Sequence, residues 1–216
     1  MKKTTGFFFA CLLSLCSVAQ DMATVFGNMP NEKILLVDSI QRQVLIDLYK
    51  DGKTTTIKNK LEEAITLKSF SNDFLEITSG DNQLKSGNST IQIALLNLVN
   101  KSKVLCFIQT VCAPVCDSRL NFYTLDWEPL DVSDFIQPED FSWFIKDDVD
   151  KTCEDFIHAV KSLDMDLMQF NFNPETQSLT QTYTTPQYLS KEDREKIAPY
   201  LKQESKIFYW KKMRFN

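Results

Sequence analysis

The central part of the chain, residues 53–127, consists of short runs in which apolar and polar residues alternate. The runs are rich in threonine, isoleucine, valine and phenylalanine, and polar turns separate them. Consecutive strands with no helix between them pair as an antiparallel meander, so this pattern predicts an antiparallel sheet. The predicted strands are TTTIKN, EAITLKSF, DFLEITS, TIQIALLNL, KVLCFIQTVC and SRLNFYTLDW.

Residues 30–51, which precede the strands, have apolar residues at helical spacing. The pattern predicts an amphipathic helix that packs on the sheet, with Arg42 on its polar face. Asp38 followed by Ser39 is a cap signal that would divide this helix in two. The predicted apolar stripe contains Ile40, Val44 and Leu48, with Val37 and Leu45 beside it.

The C-terminal third of the chain mixes helix and strand patterns. Residues 151–163 predict a helix, and the runs DLMQFNF and SLTQTYT predict a second hairpin. Ser190 and Asp193 form the capping signal of a further helix, and KIFYWKKMRF predicts a closing strand. We therefore predict one α+β domain over residues 20–216, an antiparallel sheet of meander and hairpins with about four helices packed on it. Within it, residues 163–216 could form a C-terminal subdomain.

The N-terminal residues 1–19 have the three parts of a secretory signal peptide. Two lysines begin the segment, an apolar run follows, and residues 17–19 fit the small-x-small rule for cleavage. The apolar run has about ten residues, too few to span a bilayer. Cys16 stands in a lipobox-like place, but Leu15 occupies the position of a small residue, so a lipoprotein is the less favoured prediction.

Composition and motifs argue against several classes of function. The chain of 216 residues has a formal net charge of −5 and no basic block, so we do not expect it to bind nucleic acid. It has 5 glycines and neither a G-x-G-x-x-G nor a Walker A motif, which argues against nucleotide-dependent chemistry. With a single histidine and no G-x-S-x-G or H-E-x-x-H motif, we predict no catalytic residue, no cofactor and no metal.

The segment TVCAPVCDSR places Cys112 and Cys116 four residues apart around a proline. If residues 113–115 form a hairpin loop, the two cysteines face each other across it. Opposed residues have Cβ atoms about 4.5–5.5 Å apart, slightly wider than a disulfide needs, so the sequence is compatible with a bridge. The next pairs on the same face would be Thr110 with Ser118, Ile108 with Leu120 and Cys106 with Phe122.

Three roles remain open for this cysteine pair: a structural disulfide, a redox couple or half of a metal site. A thioredoxin-type couple has two intervening residues at a helix N-terminus, whereas here there are three and the flanks have a strand pattern. A zinc site lacks a second histidine, because His158 is the only one. The structural role is favoured. Cys106 and Cys153 either stay free or pair with each other.

The acidic stretch of residues 128–150 contains four further aromatic side chains, Phe135, Phe141, Trp143 and Phe144. In one interpretation they fix a short helix onto the core. In the other they form an exposed patch that contacts a glycan or a protein, and they are then the predicted partner-binding site.

Four segments of the chain form a recognisable set: DMATVFGNMP, TVCAPVCDSRLNFYTLDW, TTPQYLSKED and the ending PYL…YW…RF. Together they resemble a family of uncharacterised exported proteins, a domain of unknown function, from gut-type anaerobic Gram-negative bacteria. The TVCAPVCDSR block is the most specific of the four. The resemblance implies a periplasmic or outer-surface location and supports the pairing of Cys112 with Cys116. It implies no activity, substrate or catalytic residue.

The leading functional prediction is an exported, non-enzymatic binding or interaction module without a transmembrane segment. It would lie in the periplasm or at the outer membrane and bind an envelope protein or a glycan. The alternative is a thiol-disulfide protein that uses Cys112 and Cys116.

Overall fold

The computed structural model describes residues 21–34, 36–80 and 87–216. The predicted signal peptide, residues 1–19, lies outside this part of the chain. The described residues form 5 α-helices and 11 strands. The helices are α1 Met22–Gly27, α2 Ser39–Lys50, α3 Glu154–Val160, α4 Thr185–Tyr188 and α5 Lys191–Ile197. The strands are β1 Thr56–Lys58, β2 Ala64–Phe70, β3 Phe74–Ser79, β4 Asn88–Asn97, β5 Lys103–Cys112, β6 Cys116–Tyr123, β7 Pro129–Leu130, β8 Met168–Asn173, β9 Ser178–Tyr183, β10 Lys206–Lys211 and β11 Arg214–Phe215.

The strands form two antiparallel sheets, which confirms the predicted α+β class. The large sheet has seven strands in the order β1-β2-β3-β4-β5-β6-β7, so neighbours in the chain are neighbours in space, as a meander requires. The small sheet has four strands in the order β11-β10-β9-β8. The run KIFYWKKMRF was predicted as one strand, but it forms the β10–β11 hairpin because Lys212 and Met213 adopt positive φ values of 53° and 67°.

The large sheet lies between two layers. Helices α1 and α2 pack on one face, which we call the helical face, and the small sheet packs on the other, the inner face. The cluster on the helical face includes Met22, Phe26, Leu45, Ile46, Leu75, Ile93, Leu105 and Phe107. The cluster on the inner face includes Phe74, Leu96, Cys106, Ile108, Phe122, Phe170, Phe172, Leu179 and Phe208.

Helix α2 begins at Ser39, where the sequence predicted a second start. Asp38 accepts a hydrogen bond from the Gln41 backbone N–H, and the Gln41 side chain accepts one from the Asp38 N–H, which completes a capping box. The residues before it, Asn31–Lys33, form a separate 3₁₀ turn. The predicted division of this helical region is therefore confirmed.

The predicted apolar stripe of α2 is wrong at Ile40 and Val44, whereas Val37 and Leu45, predicted beside it, are buried. Ile40 is 74% exposed and Val44 is 42% exposed, whereas Arg42, predicted on the polar face, is 1% exposed. The buried face of the helix consists of Arg42, Leu45 and Ile46. This face can turn inward because oxygen atoms of the preceding loop accept hydrogen bonds from the two terminal nitrogens of Arg42, as described below.

The small sheet is attached to the large one through its edge strand β8. Side chains of the large sheet accept hydrogen bonds from the backbone N–H groups of this strand, which would otherwise be unpaired at a sheet edge. These bonds run from Met168 N to Asp117 Oδ1 (3.1 Å), from Phe170 N to Ser118 Oγ (3.0 Å) and from Phe172 N to Gln92 Oε1 (2.9 Å). In the described part of the chain, no helix has the length and apolar character needed to cross a bilayer.

Candidate functional site

Among the described residues, α1 and α2 do not line one end of the helical face of the large sheet. An open groove of about 600 Å³ lies there, over the start of β4, the end of β5 and the start of β6. Its volume is within the range of ligand sites in proteins, about 300–1,000 Å³. We take the groove as the candidate functional site because it combines this volume with exposed polar and basic side chains on neighbouring strands and on the segment before α2.

The floor of the groove consists of side chains from neighbouring strands in register. Gln109 on β5 faces Ile91 on β4 and Arg119 on β6. Side chains two residues apart on a strand share a face, so Asn121 and Val111 belong to the same surface. Ile91 is buried, and Val111 is 56% exposed. The floor thus combines polar groups with an accessible aliphatic contact.

The wall of the groove is the segment that leads into α2, with Glu32, Lys33, Ile34 and Leu36. Gln109 joins the floor to this wall, because its Nε2 donates a hydrogen bond to the Lys33 carbonyl oxygen (3.1 Å). The Lys33 ammonium group lies 4.4 Å from the centroid of the Tyr123 ring. Such an arrangement is a cation–π contact, which keeps the ammonium group at the groove.

Arg42 holds this wall in place through hydrogen bonds. Its guanidinium group donates hydrogen bonds to the carbonyl oxygens of Met29 and Val37 and to Asn31 Oδ1, so it joins both ends of the segment that bears Lys33. Burial lowers the pKa of Arg42, and the nearby Asp38 carboxylate opposes that shift. Its Nε atom has no hydrogen-bond partner among the described residues. The spacing contained a signal for this role, since Arg42 lies three and four residues before Leu45 and Ile46 and must share their face.

The two basic side chains of the groove are free of acidic partners. None of the ion pairs among the described residues includes Lys33 or Arg119. Glu32, on the wall, is the acidic residue that lines the groove, and it too forms no ion pair within the described ranges. In a chain of net negative charge, the groove therefore presents two positive groups that a ligand could neutralise.

Cys112 and Cys116 form a disulfide beside the groove, at the tip of the β5–β6 hairpin. Their sulfur atoms are 2.01 Å apart and their Cα atoms 3.9 Å apart. The predicted register is confirmed at every pair, from Cys112 with Cys116 to Cys106 with Phe122. Both cysteines are half-buried. The Thr184 hydroxyl donates to the Cys116 carbonyl oxygen (2.7 Å), which joins the hairpin tip to the end of the small sheet.

The other two described cysteines are free. Cys106 is buried in the inner-face cluster, where desolvation raises the pKa of its thiol, and Cys153 is exposed. Of the two alternatives given by the sequence, they stay free and do not pair. His158 is exposed, and the described residues contain no group of three or more histidine, cysteine, aspartate and glutamate side chains that could hold a metal ion.

The four predicted patch residues do not lie in one surface. Phe135 belongs to the inner-face cluster and stacks on Phe122, with ring centroids 4.7 Å apart. Phe141, Trp143 and Phe144 belong to a third cluster around Tyr183. Phe144 is buried and the other three are half-buried. A role for them in binding a partner stays a prediction.

Trp143 is also covered by charged side chains. The ammonium groups of Lys202 and Lys206 lie 4.7 Å and 5.1 Å from the centroids of its rings. These lysines are themselves paired with Asp147 and Glu139. A ligand that stacked on this ring would have to displace them.

Comparison with known proteins gives a family and a fold. Residues 14–215 match the family described as "Protein of unknown function (DUF3256)". A solved structure, a domain of an uncharacterized protein from Porphyromonas gingivalis W83, is similar with a TM-score of 0.76 and 25% sequence identity. The similarity covers 89% of this chain and 96% of that one. No curated protein matches the chain.

Proposed function

The chain belongs to the DUF3256 family of proteins of unknown function, and we propose that it is an exported, non-enzymatic binding module of the cell envelope. The proposal rests on one observation, the open groove of about 600 Å³ on the helical face of the large sheet. The sheet provides a rigid floor, and Arg42 fixes the wall. Such a preorganised surface loses little conformational entropy when it binds a partner.

The chemistry of the groove favours binding over catalysis. The described side chains that line it include no histidine and no cysteine. Its serine, Ser89, forms a hydrogen bond with the Ser79 hydroxyl. A serine hydroxyl is not a general base and does not activate Ser89 as a nucleophile. The groove therefore presents groups that recognise a ligand, without the paired groups that activate a nucleophile.

The proposed location rests on the sequence. Residues 1–19 have the composition of a signal peptide, and the Cys112–Cys116 disulfide is a bond that persists in oxidising compartments. The resemblance of the TVCAPVCDSR block to exported proteins of gut-type anaerobes supports the periplasm or the outer membrane as its place. A lipid on Cys16 is the less favoured variant of this proposal.

Site-specific photo-crosslinking in the native envelope tests the proposed site. A benzoylphenylalanine replaces either Val111, in the groove, or Val99, which is 79% exposed in the turn at the opposite end of the β4–β5 pair. We expect an adduct of defined mass at position 111 and none at position 99. The adduct should disappear when Asn121→Trp fills the groove. Equal adducts at both positions, or none at position 111, would contradict the proposal.

The thiol-disulfide alternative has one observation in its favour, the half-buried disulfide at the hairpin tip. Both cysteines lie on strands, so no helix N-terminus stabilises a thiolate at either position. An insulin-reduction assay with Cys112→Ser as the control distinguishes the two functions. We expect no thiol-dependent activity, and a rate abolished by Cys112→Ser would favour the alternative.

A further inference from the structure

We propose that the groove binds a peptide segment of a partner protein through a carboxylate group, which Arg119 and Lys33 receive. This inference rests on the proposed function and specifies the ligand of the same site. It follows from the charges of the groove, from the hydrogen-bonding groups that remain free there and from the burial of its aromatic rings.

Arg119 is the group best placed to receive the carboxylate. It is exposed on β6, and its side chain makes no hydrogen bond or ion pair with any described residue. A guanidinium group offers two parallel N–H donors that match the two oxygens of a carboxylate. Its cross-strand neighbour Gln109 already donates a hydrogen bond to the Lys33 carbonyl oxygen in the wall, so Gln109 does not compete with Arg119 for the carboxylate.

Two neighbours complete the receiving surface. Asn121 lies two residues further along β6 on the same face, and its side-chain amide is likewise unbonded within the described chain. Lys33 provides a second positive charge from the wall. Glu32 precedes Lys33 in the wall and would repel a carboxylate, so Arg119 makes the direct contact and Lys33 contributes its positive charge from the wall.

Burial of the aromatic rings favours a peptide over a glycan. Phe107 is 1% exposed and Tyr123 is 8% exposed, and the Lys33 ammonium group covers the Tyr123 ring. Among the described residues of the groove, a sugar ring therefore finds no open aromatic face on which to stack. The accessible apolar contacts are aliphatic, from Val111 and the half-buried Leu36, and they suit an aliphatic peptide side chain next to the carboxylate.

Fluorescence anisotropy with two labelled peptides tests the inference on the purified protein. The probes are an acetylated Leu-Glu-Leu-Glu-Leu peptide and the same peptide with glutamine in place of glutamate. We expect the glutamate peptide to bind at least about tenfold more tightly, and added salt to weaken it. Arg119→Ala should abolish the difference between the peptides, and Arg119→Lys should restore only part of it because the planar fork is lost.

Arg214→Ala is the matched control. Arg214 is also exposed, lies on a strand and forms no ion pair among the described residues, but it belongs to β11 of the small sheet. Binding of the glutamate peptide should be unchanged in this variant. Equal losses in Arg119→Ala and Arg214→Ala would overturn the inference, since they would show a general charge effect.

The experiments distinguish a wrong ligand class from a wrong binding site. If neither peptide binds while the adduct at position 111 persists, the peptide chemistry is wrong and the proposed function stands. An oligogalacturonate probe covers the other source of carboxylates. If it binds more tightly than the glutamate peptide and Arg119→Ala abolishes its binding, the ligand is an acidic glycan and the inference is overturned.

Discussion

The two faces of the large sheet hold their polar groups in different ways. On the inner face, Gln92 and Ser118 each accept a hydrogen bond from a backbone N–H group of β8 in the small sheet. In the groove on the helical face, Arg119 and Asn121 have no such partner within the described residues. Polar groups of the first kind stabilise the fold, and we propose that those of the second kind contact a ligand.

The two arginines of the helical face show the same contrast. Arg42 is buried and bonded to three oxygen atoms of the loop, whereas Arg119 is exposed and unbonded. We therefore expect substitutions of hydrogen-bonded side chains such as Arg42 to reduce the stability of the fold. Any loss of binding should then follow from that loss of stability. Substitutions at unbonded positions should reduce binding alone.

The largest effect is expected for Arg42→Met. This change removes a charged donor and leaves the buried carbonyl oxygens of Met29 and Val37 without a partner, which costs about 3 kcal/mol in the free energy of unfolding. Urea denaturation measures it, with the exposed Lys50→Met on the same helix as the control. A loss below about 1 kcal/mol would show that other groups satisfy these oxygens.

Substitution of Arg42 also tests whether its hydrogen bonds stabilise the groove wall alone or the whole domain. Because Arg42 bonds the segment that forms the groove wall, Arg42→Lys should retain more stability than Arg42→Met but still loosen that wall. We expect hydrogen exchange to rise in residues 29–37 of the lysine variant while the inner face stays protected. Uniform exchange throughout the sheet would contradict this local role.

A smaller effect is expected on the inner face for Gln92→Leu. The change leaves the Phe172 N–H without an acceptor and removes the bonds from Gln92 Nε2 to Glu76 and Asn171. One buried unsatisfied N–H costs about 1–3 kcal/mol, so we expect about 2 kcal/mol by urea denaturation. Thr90→Val, two residues earlier on the same strand, should change stability by less than about 0.5 kcal/mol. Equal losses in the two variants would refute the proposed role of the β8 contacts.

The disulfide should contribute less to the free energy of unfolding than Arg42 or Gln92 does. It closes a loop of three residues, so loop entropy stabilises the fold by no more than about 2 kcal/mol. A reductant should lower the midpoint of unfolding in the natural protein but not in the Cys112→Ser, Cys116→Ser double variant. Cys153→Ser, which changes the exposed free thiol, is the control. A reductant effect that persists in the double variant would assign the stability to another bond.

The sequence predicted what depends on local pattern and missed what depends on distant contacts. The register of the β5–β6 hairpin followed from a three-residue loop at 113–115 together with alternation, because each pair lies within a few residues of Cys112 and Cys116 along the chain. The buried face of α2 did not, because two apolar stripes compete there and oxygens of the preceding loop decide between them by accepting from Arg42. The groove could not be predicted either, since it forms where the segment before α2 meets strands that are distant from it in the sequence.

The smallest effect on stability is expected at Arg119, and it is the sharpest test of the comparison. Arg119→Ala removes an exposed side chain that has no partner in the described structure, so the free energy of unfolding should change by less than about 0.5 kcal/mol. Binding of the glutamate peptide should nevertheless fall by at least about tenfold, because the fork that receives the carboxylate is gone. A large loss of stability would place Arg119 with Arg42 among the structural residues, and the two kinds of polar group would no longer be distinct.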